Sequence, residues 1–269
     1  MIRLATDSEG ADERNADIKI GILGCGGRVG TLLVKELLSG HYGAKVKLAG
    51  GTVRKGFPND KDFYVTENAD ELFQASDVLI DFTKPEATAE HIWLAAKHHK
   101  PLIIGTTGLN EVQEKEIADA AKETTIVYAA NMSVGVNLLC ALVEQAASIL
   151  GIEYDIEVSE THHKHKIDSP SGTALALGKA AKAGRNGGDF VTDRSGARNA
   201  GDIGFAVQRG GDVVGEHTVT FYGEGERIEL GHKATDRSLF AKGAIRAAIW
   251  AKDQPKGLYS MSEVLGLKS

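Results

Sequence analysis

Cysteine is scarce in this chain of 269 residues, with only Cys25 and Cys140. Two thiols are too few for a disulfide framework or a four-thiolate zinc site. Long apolar runs are also lacking: no stretch reads as long enough to span a bilayer, so no membrane partner is expected. Positive charge is not in excess, since 31 Lys and Arg stand against 37 Asp and Glu for a net charge of −6. A general nucleic-acid binder needs an extended basic surface, so no nucleic-acid partner is expected either. The first 16 residues, MIRLATDSEGADERNA, lack the apolar core of a secretory signal. They read as a loose N-terminal extension, and the location as cytoplasmic. No internal repeat is visible. What is present, 42% hydrophobic and 25% charged residues, is ordinary for a globular protein with a sizeable core in one large domain or two modest ones.

In the first half, apolar runs of strand length alternate with helical patterns. Residues 18–23, 46–51, 77–82, 102–107 and 125–130 are expected strands, short and bounded by turn residues. Residues 28–39, 85–98 and 110–122 are expected helices, with Pro85 at a first helical position and Asn110 as a cap. Such alternation predicts a parallel, doubly wound sheet. After residue 131 the pattern changes. Residues 134–150 carry a helical apolar face, and strand-like runs follow at 154–160, 203–208, 216–222 and 226–233. That predicts a second, smaller α+β domain with a mostly antiparallel sheet. The polar, glycine-rich stretch 184–202 reads as a mobile or interface loop, and 239–251 as a further helix.

The first chemical motif is GILGCGGRVG, in which Gly24, Gly27 and Gly30 follow a strand and open a helix. Backbone amides and the helix dipole at such a turn cradle a pyrophosphate, although the spacing departs from strict G-x-G-x-x-G and a plain tight turn is the alternative. At the end of the second strand an acid would bind the ribose of NAD, yet the chain reads Thr52-Val53-Arg54-Lys55. Arg54 offers a donor fork to a 2′-phosphate, with Lys55 or Arg28 as helpers, so NADPH is the expected cofactor and NADH a possible one. DFTKP (81–85), GTTG (105–108) and AANMSVGVN (129–137) are the loops expected to line the cofactor crevice.

The densest chemistry is ETHHKHKIDSPSGTA at 160–174, with His162, His163, Lys164, His165 and Lys166 just ahead of a helix start. No H-E-x-x-H or C-x-x-C spacing accompanies the histidines, so no metal is expected. The amides of the Ser169-Pro-Ser-Gly-Thr start instead suit a carboxylate, and a cationic loop feeding them suits a small polyanion. Lys166 is a candidate charge partner and general acid, and His162 or His163 a candidate proton or hydrogen-bond donor.

These motifs, with GDVVGEHTVTF and ERIELGHKATDRSLFAKGAIRAAIW, span residues 18 to about 250 and resemble the 4-hydroxy-tetrahydrodipicolinate (dihydrodipicolinate) reductase family. The resemblance implies NAD(P)H-dependent reduction of a small cyclic dicarboxylate on the diaminopimelate route to lysine. It implies His162 and Lys166 as catalytic, and His163, Gly172 and Thr173 as substrate-binding. It implies cofactor contacts at Gly24, Cys25, Gly26, Gly27, Arg28, Val29, Gly30, Arg54, Gly105, Thr106, Thr107, Ala129, Ala130, Asn131 and Met132. Val53 stands where relatives that use both cofactors often carry an acid. The expected layout is a Rossmann-type unit over 17–132, completed by 240–269, and a substrate and oligomerisation unit over 133–239. A homotetramer joined through the second-domain strands is also implied.

Overall fold

The computed structural model describes residues 17–57, 61–193 and 195–267, so the expected extension over 1–16 lies outside the described residues. The chain runs β1 (Ile18–Leu23), α1 (Arg28–Leu38), β2 (Val46–Thr52), β3 (Val65–Thr66), α2 (Ala69–Ala75), β4 (Val78–Asp81), α3 (Pro85–His98), β5 (Leu102–Ile104), α4 (Glu111–Ala120), β6 (Thr125–Tyr128) and α5 (Val134–Leu150). It continues through β7 (Asp155–His162), α6 (Gly172–Arg185), β8 (Phe190–Val191), β9 (Ile203–Arg209), β10 (Gly215–Tyr222), β11 (Arg227–Ala234), α7 (Ser238–Ala251), β12 (Gly257–Tyr259) and α8 (Met261–Leu265).

Seven strands form a parallel sheet in the order β12-β6-β5-β4-β1-β2-β3. Its strands are apolar on both faces because helices cover both. Ile20, Ile22, Val78, Ile80, Ile103 and Val127 pack toward one layer with α7, while Leu79, Leu102, Ile104 and Ile126 pack toward the other. Alternation of side chains along a strand sorts them this way. The order reverses at β1, which lies between β2 and β4. In an open parallel sheet that reversal leaves a crevice at the carboxyl ends of the flanking strands, here at the loops after β1 and β4.

The second sheet has the order β11-β10-β7-β9-β8 and is mixed. β10 runs antiparallel to β7 and β11, whereas β9 is parallel to β7 and β8 because α6 makes the crossover between β7 and β9. α5 and α6 cover one face through Leu139, Val143, Ala147, Ala174 and Leu177, against Ile156, Val158, Phe205 and Val219. The expectation that no apolar run reaches membrane-spanning length needs correction. Val134–Glu153 is long and apolar enough by length and composition, at mean hydropathy 1.6. Its inward stripe Val136, Leu139, Val143 and Ala147 is buried, the last three in the core over the second sheet, while Leu138, Leu142 and Ile149 are exposed on its other side.

Two caps hold as read, with Pro85 in the first turn of α3 and a full capping box between Asn110 and Gln113 at α4. The expected strand over 102–107 stops at Ile104, and Gly105, Thr106 and Thr107 form the loop beyond it.

Candidate functional site

The glycine loop after β1 is shaped by close backbone approach. A side chain on Gly30 would collide with the Gly24 carbonyl, and one on Gly24 would lie 2.7 Å from Thr83 Cγ2. Gly24 also has φ +79°, a conformation that other residues resist. Gly27 caps α1 with no side-chain hydrogen bond, and the first turn carries Arg28 and no acid. An uncapped, acid-free helix start facing the crevice suits a pyrophosphate, so the residues present fit a dinucleotide. Val29 is half-buried behind this turn, and Cys25 is buried with its amide donating to Thr52 O at 2.9 Å. Arg28 and Arg54 are exposed on the two sides of the loop, at the start of α1 and the end of β2. Phe57 lies over Gly26, whose added Cβ would stand 2.9 Å from the ring. Across the crevice, Gly105 and Thr106 are buried, Thr107 is exposed, and the Ala129 amide donates to Ile104 O at 3.2 Å.

In the second sheet, the inward row of β7 is Ile156, Val158, Glu160, His162. The same row on β10 reads Phe221, Val219, His217, Gly215, with His217 opposite Glu160. Both rows change from apolar to ionisable at the same end of the sheet, where the start of α6 meets them through Ser171. Glu160 is 2% exposed and serves three groups. Its Oε1 accepts from the Ser171 amide at 2.8 Å and from Arg209 at 3.1 Å, and its Oε2 touches His162 Nδ1. Ser171 in turn caps α6, its Oγ accepting from the Ala174 amide at 3.1 Å and meeting His217 Nε2 at 3.2 Å. His162 and His217 stand edge to face with centroids 5.0 Å apart.

Burial pushes the His162 pKa below its ordinary value; Glu160 opposes the shift and Lys166 adds to it. Burial also lowers His217, to about 4, with His162 a further cause. For Glu160 burial acts upward, but Arg209, the Ser171 amide and His162 together hold it below the usual range. Among the described residues, Glu160, His162 and His217 form the group whose ligand atoms all lie within 4.8 Å, as a metal would require. Ser171 already engages His217 Nε2, however, and Arg209 and Lys166 bring positive charge to the same spot. The cluster therefore suits an anion better than a cation.

His163 and Lys166 follow on the loop to α6, with the Lys166 ammonium 2.8 Å from Asp168. His163 lines a cavity of about 550 Å³ with Lys164, His165, Gly211, Asp212 and Arg237. Gly172 and Thr173 open α6, where amides have no intrahelical partner; a side chain on Gly172 would project into open space. Asn131 Nδ2 donates to Thr173 Oγ1 at 3.1 Å. That bond joins the segment after β6, which rims the crevice, to the start of α6. Met132, next in that segment, is buried against Gly243 of α7.

Against this geometry, residues 18–132 match the family model of the dihydrodipicolinate reductase N-terminus and residues 135–265 that of its C-terminus. The chain belongs to the dihydrodipicolinate reductase family. It is 46% identical over 262 residues to the 4-hydroxy-tetrahydrodipicolinate reductase of Zymomonas mobilis, covering 94% of this chain and 99% of that one. The corresponding protein of Parvibaculum lavamentivorans is 47% identical over 275 residues, with 94% and 99% covered. A dipicolinate-bound dihydrodipicolinate reductase from Paenisporosarcina shares the fold at TM-score 0.77 and 23% identity, covering 92% of this chain and 98% of that one.

In this dihydrodipicolinate reductase family member Glu160, Arg209, His217 and Phe57 join the site without being expected from the sequence. Glu160 and His217 carried a usable signal: stepping by two from Ile156 and from Phe221 runs through apolar residues straight into them. Arg209 had none, since only the β7–β9 register sets it opposite His162.

Proposed function

We propose that the protein reduces 4-hydroxy-tetrahydrodipicolinate or its dehydrated form to tetrahydrodipicolinate, on the diaminopimelate route to lysine, with NADPH preferred and NADH used less well. Family membership supports the reaction class, and the observation that carries the site is the carboxylate-ready start of α6 beside His162, tied to the crevice rim through Asn131 and Thr173. Reduced nicotinamide, when bound, supplies a hydride. Gly24 to Gly30 and the helix start behind them would hold its pyrophosphate, and Arg54 would engage the 2′-phosphate, with Val53 adding no opposing charge. Gly105 to Thr107 and Ala129 to Met132 line the nicotinamide side.

The substrate is a small dicarboxylate. The amides of Gly172 and Thr173, with His163, receive one carboxylate, and Lys166 exchanges Asp168 for substrate charge. Two incoming negative charges raise the depressed pKa of His162 and favour its protonated form. His162, held by Glu160 on Nδ1, then donates from Nε2 to the ring carbon next to the one that receives hydride, while Lys166 stabilises the developing negative charge. A Cβ on Gly215 would come within 3.0 Å of Nε2, so glycine there keeps that nitrogen approachable.

Residues 17–132 with 240–269 act as the dinucleotide unit and 133–239 as the substrate and oligomerisation unit, in a cytoplasmic homotetramer joined through strands of 203–233. The decisive test follows nicotinamide oxidation with substrate generated from pyruvate and aspartate semialdehyde by the preceding synthase, with NADPH and NADH in parallel. Turnover with a higher kcat/KM for NADPH is expected. Absence of turnover with both, or a clear preference for NADH, overturns the corresponding part of the reading.

A further inference from the structure

Asp81 and His91 are buried, ionisable and unused in the chemistry above. Asp81 ends β4 at the crevice and is fully buried, and His91, on α3, is 5% exposed. A buried carboxylate is tolerated only when its oxygens are satisfied, and here the partners are informative. Oδ2 meets His91 Nδ1 at 2.8 Å, so the imidazole donates there. Oδ1 accepts from the Thr83 amide at 2.9 Å, from Thr83 Oγ1 at 2.6 Å and from Thr106 Oγ1 at 3.3 Å. Thr106 Oγ1 also accepts from the Thr83 amide at 3.1 Å and from Thr88 Oγ1 at 3.0 Å. One carboxylate thus ties the loop after β4 to the loop after β5. The tie extends to the glycine loop, because the Thr83 methyl occupies the space that a Gly24 side chain would need, and the Phe82 ring does the same at Gly105.

We propose that Asp81 and His91 form a positioning pair that holds the loops after β1, β4 and β5 in register for the nicotinamide half of the cofactor. The proposal rests on the dinucleotide reading of the crevice and adds which half the pair serves. By donating to Oδ2, His91 fixes the rotation of the carboxylate so that Oδ1 stays aimed at Thr83 and Thr106. Neither residue touches the cofactor; both act through the loops. Arg54, which would hold the adenosine half, lies on the other side of β1, at the end of β2, since the sheet order there is β4-β1-β2. Loss of the pair therefore separates the two halves of the molecule.

The test measures binding of NADPH, by its fluorescence, and of 2′,5′-ADP, by calorimetry, to the full chain carrying His91→Leu, His91→Asn or Asp81→Asn. Leucine keeps apolar volume but donates nothing, whereas asparagine loses volume but can still donate from the Nδ1 position. For His91→Leu and Asp81→Asn, NADPH binding is expected to weaken about ten-fold or more while 2′,5′-ADP binding stays within about two-fold of wild type. His91→Asn is expected to bind NADPH within about three-fold of wild type. Unchanged NADPH binding in both His91→Leu and Asp81→Asn overturns the proposal. So does equal weakening of both probes, or an asparagine variant whose NADPH binding is weakened as much as that of the leucine one. Failure of the wild-type chain to bind either probe overturns the dinucleotide reading itself.

Discussion

Glu160 marks the residue at which β7 turns from packing to electrostatics. Its carboxylate holds Ser171, Arg209 and His162 at once, so removing its charge while keeping its shape isolates the electrostatic part. For Glu160→Gln, kcat is expected to fall about ten-fold or more, with the cofactor KM little changed. The direction of the pH effect follows from the charges. Glu160 raises the His162 pKa against burial, so without it the pKa drops further, and activity that needs protonated His162 is lost at a lower pH as pH rises. A pH profile of kcat that does not move toward acid would remove His162 from the role of donor.

His217 gives a second residue-scale expectation. Unfolded, it takes a proton near 6.5; folded, burial holds its pKa at about 4. Between those values the unfolded chain binds more protons, so stability is full above about 6.5 and is lost as pH falls toward 4. The contribution is on the order of 3 kcal/mol for a shift of that size. His217→Gln keeps a donor for Ser171 and is expected to flatten the fall of Tm across this window. An acid dependence as steep as wild type would refute it.

At the scale of elements, α7 crosses directly beneath the segment that follows β6. Gly243 has no room for a side chain, because its Cβ would overlap the Met132 carbonyl, which is backbone and cannot rotate away. Alanine would improve helix propensity by about 1 kcal/mol, but forcing two backbones apart costs about 1–3 kcal/mol or more and also tilts the crevice rim. Gly243→Ala is therefore expected to lower the urea midpoint and weaken NADPH binding together; a midpoint at or above wild type would contradict the packing. Long elements were legible because their periodicity repeats. α2 offers only Leu72 and Phe73 as buried positions and β12 has three residues, too few to establish a period. β5 ends early for a chemical reason: beyond Ile104 the backbone turns to the crevice, and the threonine at 106 bonds to Asp81 in place of a neighbouring strand.

For the whole molecule, the chain end returns to the first sheet. β12 pairs with β6, and Thr125 Oγ1 donates to Gln254 O and Pro255 O at 3.0 Å each. The proposed tetramer gives this scale its test. β11 is the edge strand of the second sheet and leaves Ile228 exposed at 37%. Sedimentation is expected to give a four-chain mass for wild type and smaller species for Ile228→Asp, since an unpaired charge in an apolar interface is costly. A wild-type monomer would rule out the assembly.

The sequence by itself determined the parallel first sheet and the helix starts at Pro85, Asn110 and Ser171-Gly172-Thr173. Each of these is set by neighbours within a few residues, through side-chain period, capping and the uncapped amides of a first turn. It also carried the motifs that set family and reaction class. Only the tertiary structure decided that Glu160, His162, His217 and Arg209 share one buried cluster, and that Asp81 ties three loops together through His91, Thr83 and Thr106. Those contacts join residues from separate strands, helices and loops, and strand register and sheet order, which no local pattern encodes, bring them within hydrogen-bond reach.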